Sequence, residues 1–370
     1  MRWSASTNRR RHVLVTIAAG AVMTSACGAS TNPAPSASPV VSALAAVHGI
    51  GVDVLPTDLL DGSSHQPTGR QLVNVMQRYR VQLVRLAWGN QDATVLDGGG
   101  WKVVFQRLVA AHINAILTLH QQPPGASEGP GVANAAITDV AALIGAEETV
   151  LTQVKRQWGG TYPPNLVGLD VFNEPVLTPA SAPVLRHLAS EIKQFTGGIP
   201  VTIGGWRNQV ATTAQEYNDP SLAGLAASIG DFVSVHLYPD NMPGGSQTSM
   251  SAAEIEPFAR SFLVTTLSAM SRTRHARTPI LITETGAQSG QAPGGGFHEK
   301  ISGSPQHQSA TIAAVFAVAK QFSEQGVRGV QVWWATPPLT ETCDGSALIC
   351  FDGTYVSQSL PLFARYQFPS

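Results

Sequence analysis

From Gly49 onward, short runs of β-branched and aliphatic residues alternate with longer segments whose apolar positions recur at helical spacing. The pattern predicts strands over 49–55, 81–88, 115–120, 166–172, 200–206, 232–238, 280–283 and 329–334. Between them it predicts helices over 69–80, 101–111, 137–158, 181–195, 252–271 and 306–325, a less regular helical stretch over 220–227, and a short closing segment. Runs such as Ile280-Leu281-Ile282 have no polar alternation, which suits parallel strands buried on both faces. Eight such strand–helix units fit a (β/α)8 barrel, an α/β fold of one catalytic domain. An open doubly wound sheet has the same periodicity. No glycine fingerprint opens a helix after the first strand, which favours the barrel.

The first 47 residues follow neither period. Arg9, Arg10 and Arg11 precede an apolar stretch, Val13 to Met23, shorter than the ~20 residues a membrane-spanning helix needs. Residues 1–26 are therefore read as a signal peptide. The run Thr24-Ser25-Ala26-Cys27 resembles a bacterial lipobox, which implies lipid attachment at Cys27 and a tether on the outer face of the cell membrane. The alternative is an ordinary signal cleaved after a nearby Ala, and Arg10-Arg11-His12-Val13-Leu14 also resembles a twin-arginine export motif. Residues 27–47, rich in Ala, Ser, Thr and Pro over Gly28 to Ser42, read as a flexible linker. The catalytic domain is assigned to 48–370.

Composition narrows the partners. The chain has 370 residues, 23 Lys+Arg against 24 Asp+Glu, and a formal charge of −1, so it lacks the electrostatic footprint of a nucleic-acid binder. Charged residues make up 13%, against about 25% in an average soluble domain. Such a chain suits a neutral substrate and is read as a monomer.

Barrel enzymes carry their reactive groups at the C-terminal ends of the strands, and polar residues collect at those ends here. They are Arg85 and Trp88, His120, Asn173 and Glu174, Trp206, His236 and Tyr238, Glu284, and Trp334. Two carboxylates stand out. Glu174 ends the fourth strand before Pro175, and Glu284 ends the seventh between Thr283 and Thr285. These two strands face one another across an eight-stranded barrel. Glycoside hydrolysis needs such a pair, one to protonate the leaving oxygen and one on the other side of the anomeric carbon.

The run Gly168-Leu169-Asp170-Val171-Phe172-Asn173-Glu174-Pro175, then Val235-His236-Leu237-Tyr238-Pro239, then Leu281-Ile282-Thr283-Glu284-Thr285-Gly286 resembles the clan A glycoside hydrolases. The cellulase-type members (family 5) are nearest and family 39 competes. The resemblance spans roughly Gly49 to Thr336 and implies the barrel. It implies a retaining double displacement on a polysaccharide or oligosaccharide, with Glu174 as acid/base and Glu284 as nucleophile. Arg85 would hold Glu284 ionised and Tyr238 would hydrogen-bond it. His236 would lie near Glu174, Asn173 would bind the sugar 2-hydroxyl, and Trp334 would form the floor under the reacting sugar. Strand three ends Leu119-His120-Gln121-Gln122, a departure from the usual family pattern, so His120 is a substrate-binding candidate or a supporting histidine. Trp88, Asn90, Trp206, Arg207 and Asp53 are left between sugar contact and structure. A transglycosylase acting on an envelope glycan is a close variant, and a non-catalytic carbohydrate-binding lipoprotein is the alternative from another class.

Other signals carry less. Gly125-Ala126-Ser127-Glu128-Gly129 matches the serine-hydrolase elbow in letters, but prolines on both sides deny it the strand–turn–helix context that the elbow needs. The histidines and cysteines lack zinc-ligand spacing, so neither metal nor cofactor is expected. His298 and His307 read as solvent-facing or rim residues, and Gly294-Gly295-Gly296 as a mobile loop at the cleft mouth. In an exported chain, Cys343 and Cys350 are expected to form a disulfide.

Overall fold

The computed structural model describes residues 44–61, 69–87, 95–119, 139–206, 219–239, 250–287, 304–333, 348–350 and 355–368. The signal segment, Cys27, Ser127, Gly294 to Gly296, His298 and Cys343 lie outside the described residues.

Eight parallel strands form the centre: β1 (Gly49–Val54), β2 (Leu83–Ala87), β3 (Asn114–Thr118), β4 (Leu166–Asn173), β5 (Val201–Gly204), β6 (Val233–His236), β7 (Ile280–Glu284) and β8 (Val327–Val332). They neighbour one another in the order 5-4-3-2-1-8-7-6. The first strand pairs with the last, Gly51 opposite Gln331 and Val52 opposite Val332, which a doubly wound sheet does not do. Between β5 and β6 the ring is drawn together by Asp231 N–H donating to Val201 O at 2.7 Å and the Thr202 hydroxyl donating to Phe232 O at 2.7 Å. The architecture is a (β/α)8 barrel.

Each strand is followed by a helix: α1 (Gly69–Arg78), α2 (Trp101–Ala110), α3 (Val140–Gln157), α4 (Ala182–Phe195), the short α5 (Ala223–Ala226), α6 (Ala252–Ser271), α7 (Pro305–Gln321) and α8 (Leu360–Arg365). Their buried faces follow the 3.6-residue period; α4, for example, buries Leu185, Leu188, Ala189 and Ile192. Local chemistry starts the helices. Asp139 accepts from Ala142 N–H at 2.9 Å ahead of α3, Ser304 accepts from His307 N–H at 3.0 Å ahead of α7, and Ser251 with Glu254 forms a capping box on α6. Such caps satisfy backbone donors that have no partner inside the helix.

Several ends fall short of the expected ranges. Helix α1 stops at Arg78 because Arg80 turns left-handed at φ 59° and Val81 N–H donates back to Met76 O at 2.9 Å. Helix α7 stops at Gln321; a 3-10 turn over Ser323–Gln325 and Gly326 at φ 105° then lead into β8. A two-stranded hairpin, β9 (Ile349–Cys350) with β10 (Tyr355–Val356), and α8 make up the closing segment, too short for periodicity to show. Phe363 of α8 packs edge-on against Phe316 of α7 with ring centres 5.3 Å apart.

The barrel has two apolar layers. A large one lies between strands and helices. A small one fills the barrel floor with Leu83, Ile116, Val167, Phe232 and Leu281, closed by Val47 with Leu44 and Ala46 against it. Asn114 Nδ2 donates to Ala46 O at 3.2 Å. Residues 44–47, which composition alone places in the linker, thus form part of the barrel's base. Among the described residues, no helix is long and apolar enough to cross a membrane.

Candidate active site

Arg85 of β2 is the hub. It is fully buried, and a guanidinium in that position needs anions. Its Nε and NH2 donate to Asp170 Oδ2 at 3.0 and 2.7 Å. NH2 also donates to Asn173 Oδ1 at 2.6 Å, and NH1 to Glu284 Oε1 at 2.7 Å. NH1 lies 3.7 Å from Asp53 Oδ2. Burial opposes the charge on Arg85, but Asp170, Glu284 and Asp53 together hold its proton more firmly than in a free guanidinium.

The C-terminal strand ends deliver the two glutamates. Glu174 follows β4 in a left-handed conformation, φ 52°, costly for a side chain with a Cβ and typical of residues whose surroundings over-determine them. Its N–H donates to Gly204 O at 2.7 Å, which fixes the turn, and Pro175 carries the chain away. Glu284 ends β7. They are 6% and 4% exposed, so each opens onto the surface through a narrow face.

His236, the last residue of β6, stands between them. Its Nδ1 is 2.9 Å from Glu174 Oε1 and 3.3 Å from Glu284 Oε2. Tyr238, two residues beyond and clear of the ladder, donates its hydroxyl to Glu284 Oε2 at 2.9 Å. Glu284 therefore has Arg85 on one oxygen, and Tyr238 and His236 on the other. Burial raises its pKa, His236 and Arg85 work against that, and Glu174 adds to it. Burial and then the negative Glu284 push the Tyr238 phenol well above its ordinary range, so it remains a donor.

Two glycines leave room for this cluster. A Cβ on Gly204 would come within 2.0 Å of Asp170 Oδ2, and one on Gly205 within 2.8 Å of the His236 ring. Gly205 also has φ +63°, where glycine is at no steric disadvantage.

Arg85, Asn173, Glu174, His236, Tyr238 and Glu284 thus converge. His120, Trp334, Trp88, Asn90 and Arg207 lie outside the described residues. So does Cys343, and with it the expected pairing to Cys350. Trp206 is fully buried and its indole N–H donates to Asp219 O at 3.0 Å, which makes it a packing residue. His307 sits in the first turn of α7, held by its N–H to Ser304. Asp170, four residues before Glu174, is a partner of Arg85 that the sequence motifs do not single out. Asp53 is fully buried next to Arg85.

One donor atom each from Glu174, His236 and Glu284 lie within 4.8 Å of one another, close enough for three ligands of a divalent ion. The Arg85 guanidinium, 2.7 Å from Glu284, already supplies positive charge there and opposes a second cation. What the arrangement provides is two carboxyls facing a common point, one held by Arg85 and Tyr238 and one hydrogen-bonded to the His236 imidazole.

The sequence matches no protein-family model and no curated protein sequence. Solved structures do match its fold. The apo β-glucuronidase of Ruminococcus gnavus superposes with a TM-score of 0.55 at 13% identity, over 86% of this chain and 49% of that one. The same enzyme in complex with D-glucuronic acid gives 0.56 at 13%, with 86% and 49% covered. A β-glucuronidase from uncultured Clostridium sp. gives 0.55 at 12%, with 86% and 50% covered. The chain spans about half the length of these neighbours. At such identities the likeness speaks for the barrel.

Proposed function

We propose that the protein is a retaining O-glycoside hydrolase acting on a polysaccharide or oligosaccharide. The observation that carries the reading is the approach of the Glu174 and Glu284 oxygens to within 4.8 Å across the strand ends. Retaining glycosidases hold their carboxyls ~5–5.5 Å apart, whereas inverting ones leave ~6.5–9.5 Å for a water; a nearest-oxygen approach this short favours the retaining arrangement without being that separation itself. The glycosidase names of the structural neighbours point the same way.

In this reading Glu284 is the nucleophile, because it accepts from Arg85 and Tyr238, the donors that stabilise an anion. It attacks the anomeric carbon while Glu174, sharing a proton with His236 across 2.9 Å, protonates the leaving oxygen. Glu174 then takes a proton from water, which displaces Glu284 from the sugar. Asn173 has its Oδ1 engaged by Arg85, so its amide N–H groups are the ones turned to a sugar hydroxyl. A contact to the 2-hydroxyl strengthens as positive charge develops on the ring.

The test is a screen of 4-nitrophenyl glucosides, mannosides, xylosides, arabinosides and glucuronides, followed by variants on whichever is cleaved. Glu284→Ala is expected to lose about 10⁴-fold or more in kcat/KM. Glu174→Ala is expected to regain turnover with added azide, yielding a glycosyl azide of unchanged anomeric configuration. An inverted product from the wild-type enzyme, or full activity in both variants, overturns the reading.

A further inference from the structure

The buried network holds more carboxyls than its cation can serve. Within reach of the Arg85 guanidinium are Asp53, Asp170 and Glu284. Asp170 takes Nε and NH2. The remaining group, NH1, has two candidates: Glu284 at 2.7 Å and Asp53 at 3.7 Å.

Their surroundings are unequal. Glu284 accepts from Arg85 and Tyr238 and faces His236. Both oxygens of Asp53 are buried, and no hydrogen-bond donor among the described residues reaches either. Donors stabilise a carboxylate, and a carboxyl lacking them in a dry site favours its neutral form. NH1 carries two hydrogens, but Asp53 at 3.7 Å is beyond hydrogen-bond distance; two carboxyls facing one NH2 group of a single cation resemble other coupled carboxyl pairs, whose titrations belong to the pair.

We propose that Asp53 and Glu284 form a carboxyl pair bridged by NH1 of Arg85, and that the pair carries one proton, lodged on Asp53. Asp53 is then a positioning residue: by staying neutral it leaves NH1 to Glu284 and keeps that side chain anionic. The value of this to a nucleophile rests on the glycosidase reading; the pair itself does not. The charged and titratable groups facing it are Arg85 from β2, Asp170 and Glu174 from β4, His236 and Tyr238 from β6, and Glu284 from β7. From β8 comes Gln331, whose amide atoms are also buried without partners among the described residues. Burial dominates the balance at Asp53, with Arg85 opposing it and Glu284 and Asp170 adding to it.

The test needs no substrate. The whole chain is labelled with [4-13C]aspartate, the Asp53 resonance is assigned by its loss in Asp53→Asn, and its carbon shift is followed against pH. In the wild-type protein the Asp53 carbon is expected at the protonated position at pH 7. In Glu284→Gln, where NH1 has no competing anion, Asp53 is expected to release its proton at least about tenfold more readily, a midpoint one pH unit lower. Tyr238→Phe removes only one donor from Glu284, which shifts the shared proton toward Glu284, and is expected to lower the midpoint as well but by less, which keeps a readout if Glu284→Gln does not fold. An Asp53 carbon at the ionised position at pH 7 in the wild type, or one midpoint shared by all three proteins, overturns the pair. Since the titration is read from a resonance, an inactive enzyme with the expected shifts would overturn only the glycosidase reading.

Discussion

Toward the N-terminal ends of the strands the barrel interior is filled by Leu83, Ile116, Val167, Phe232 and Leu281, with Val47 seated beneath them. Two residues further along four of these segments stand Arg85, Thr118, Ser234 and Thr283, all buried. The same strand face changes from hydrocarbon to polar groups in one period of the pleat. Below, only volume and shape are required, and neighbours can be exchanged if the space is filled. Above, Arg85 must meet Asp170, Asn173 and Glu284 at hydrogen-bond distance, and a one-residue slip of any strand would turn its group out of the barrel. The floor therefore helps to hold the register on which the upper layer depends.

The largest effects separate the layers by their pH dependence. Phe232→Ala removes a fully buried ring from the floor and is expected to cost ~3–5 kcal/mol, little changed by pH. Arg85→Met strands Asp170 and Glu284 without their cation and is expected to cost a similar ~3–5 kcal/mol near neutrality. That second cost should shrink as pH falls, because the orphaned carboxyls can then take up protons that neutralise them. Denaturant titrations of both variants at pH 7 and pH 5 check this. Equal pH slopes for the two would remove the distinction between the layers.

A smaller effect is expected at Gly205. Alanine there meets the His236 ring at 2.8 Å with φ at +63°, so either the ring or the backbone must move. We expect ~1–3 kcal/mol of lost stability and a fall of about tenfold in kcat, since a displacement near 1 Å disrupts catalytic geometry. An unchanged kcat with reduced stability would show that His236 tolerates displacement.

The contrast also explains what could be read from the sequence. The strand positions, the helices and the polar strand ends were visible, because periodicity and chain order carry them. Arg85, Asn173, Glu174, His236, Tyr238 and Glu284 could be assembled from the family-like motifs. Asp170 and Asp53 could not, since their role depends on lateral register. Asp53 pairs directly with Arg85 across β1 and β2. Asp170 pairs with Thr118 of β3, whereas Arg85 pairs with Ile116, so Arg85 meets Asp170 by reaching across a strand and up the barrel. No spacing along one chain encodes that offset. Val47 falls to the linker by composition for a similar reason, since a short apolar residue in an Ala- and Ser-rich run shows no period, and only the floor it closes gives it a role.

Outside the strands, α3 offers a case between the two layers. Glu147 is fully buried on the inner face of that helix, in a position otherwise taken by Leu143, Val150, Leu151 and Val154, and neither carboxyl oxygen has a hydrogen-bond partner among the described residues. Unlike the acids around Arg85, it makes no ion pair among the described residues. Burial, with a lesser contribution from Asp170, raises its pKa well above the ordinary carboxylate range. Between the unfolded and the folded pKa, the unfolded chain has released a proton that the folded chain keeps, so this group's contribution to stability falls as pH rises through that window. It is fully present only below the unfolded value. Glu147→Met exchanges an unsatisfied polar side chain for an apolar one of similar length, and is expected to stabilise by about 1–3 kcal/mol at pH 8. The gain should diminish toward pH 4, where the wild-type side chain is neutral in both states. Thermal melts of the two proteins at pH 4 and pH 8 decide the matter. A variant less stable than the wild type at pH 8 would mean that Glu147 has a charged partner there, and that α3 is held to the barrel by the same means as the layer around Arg85.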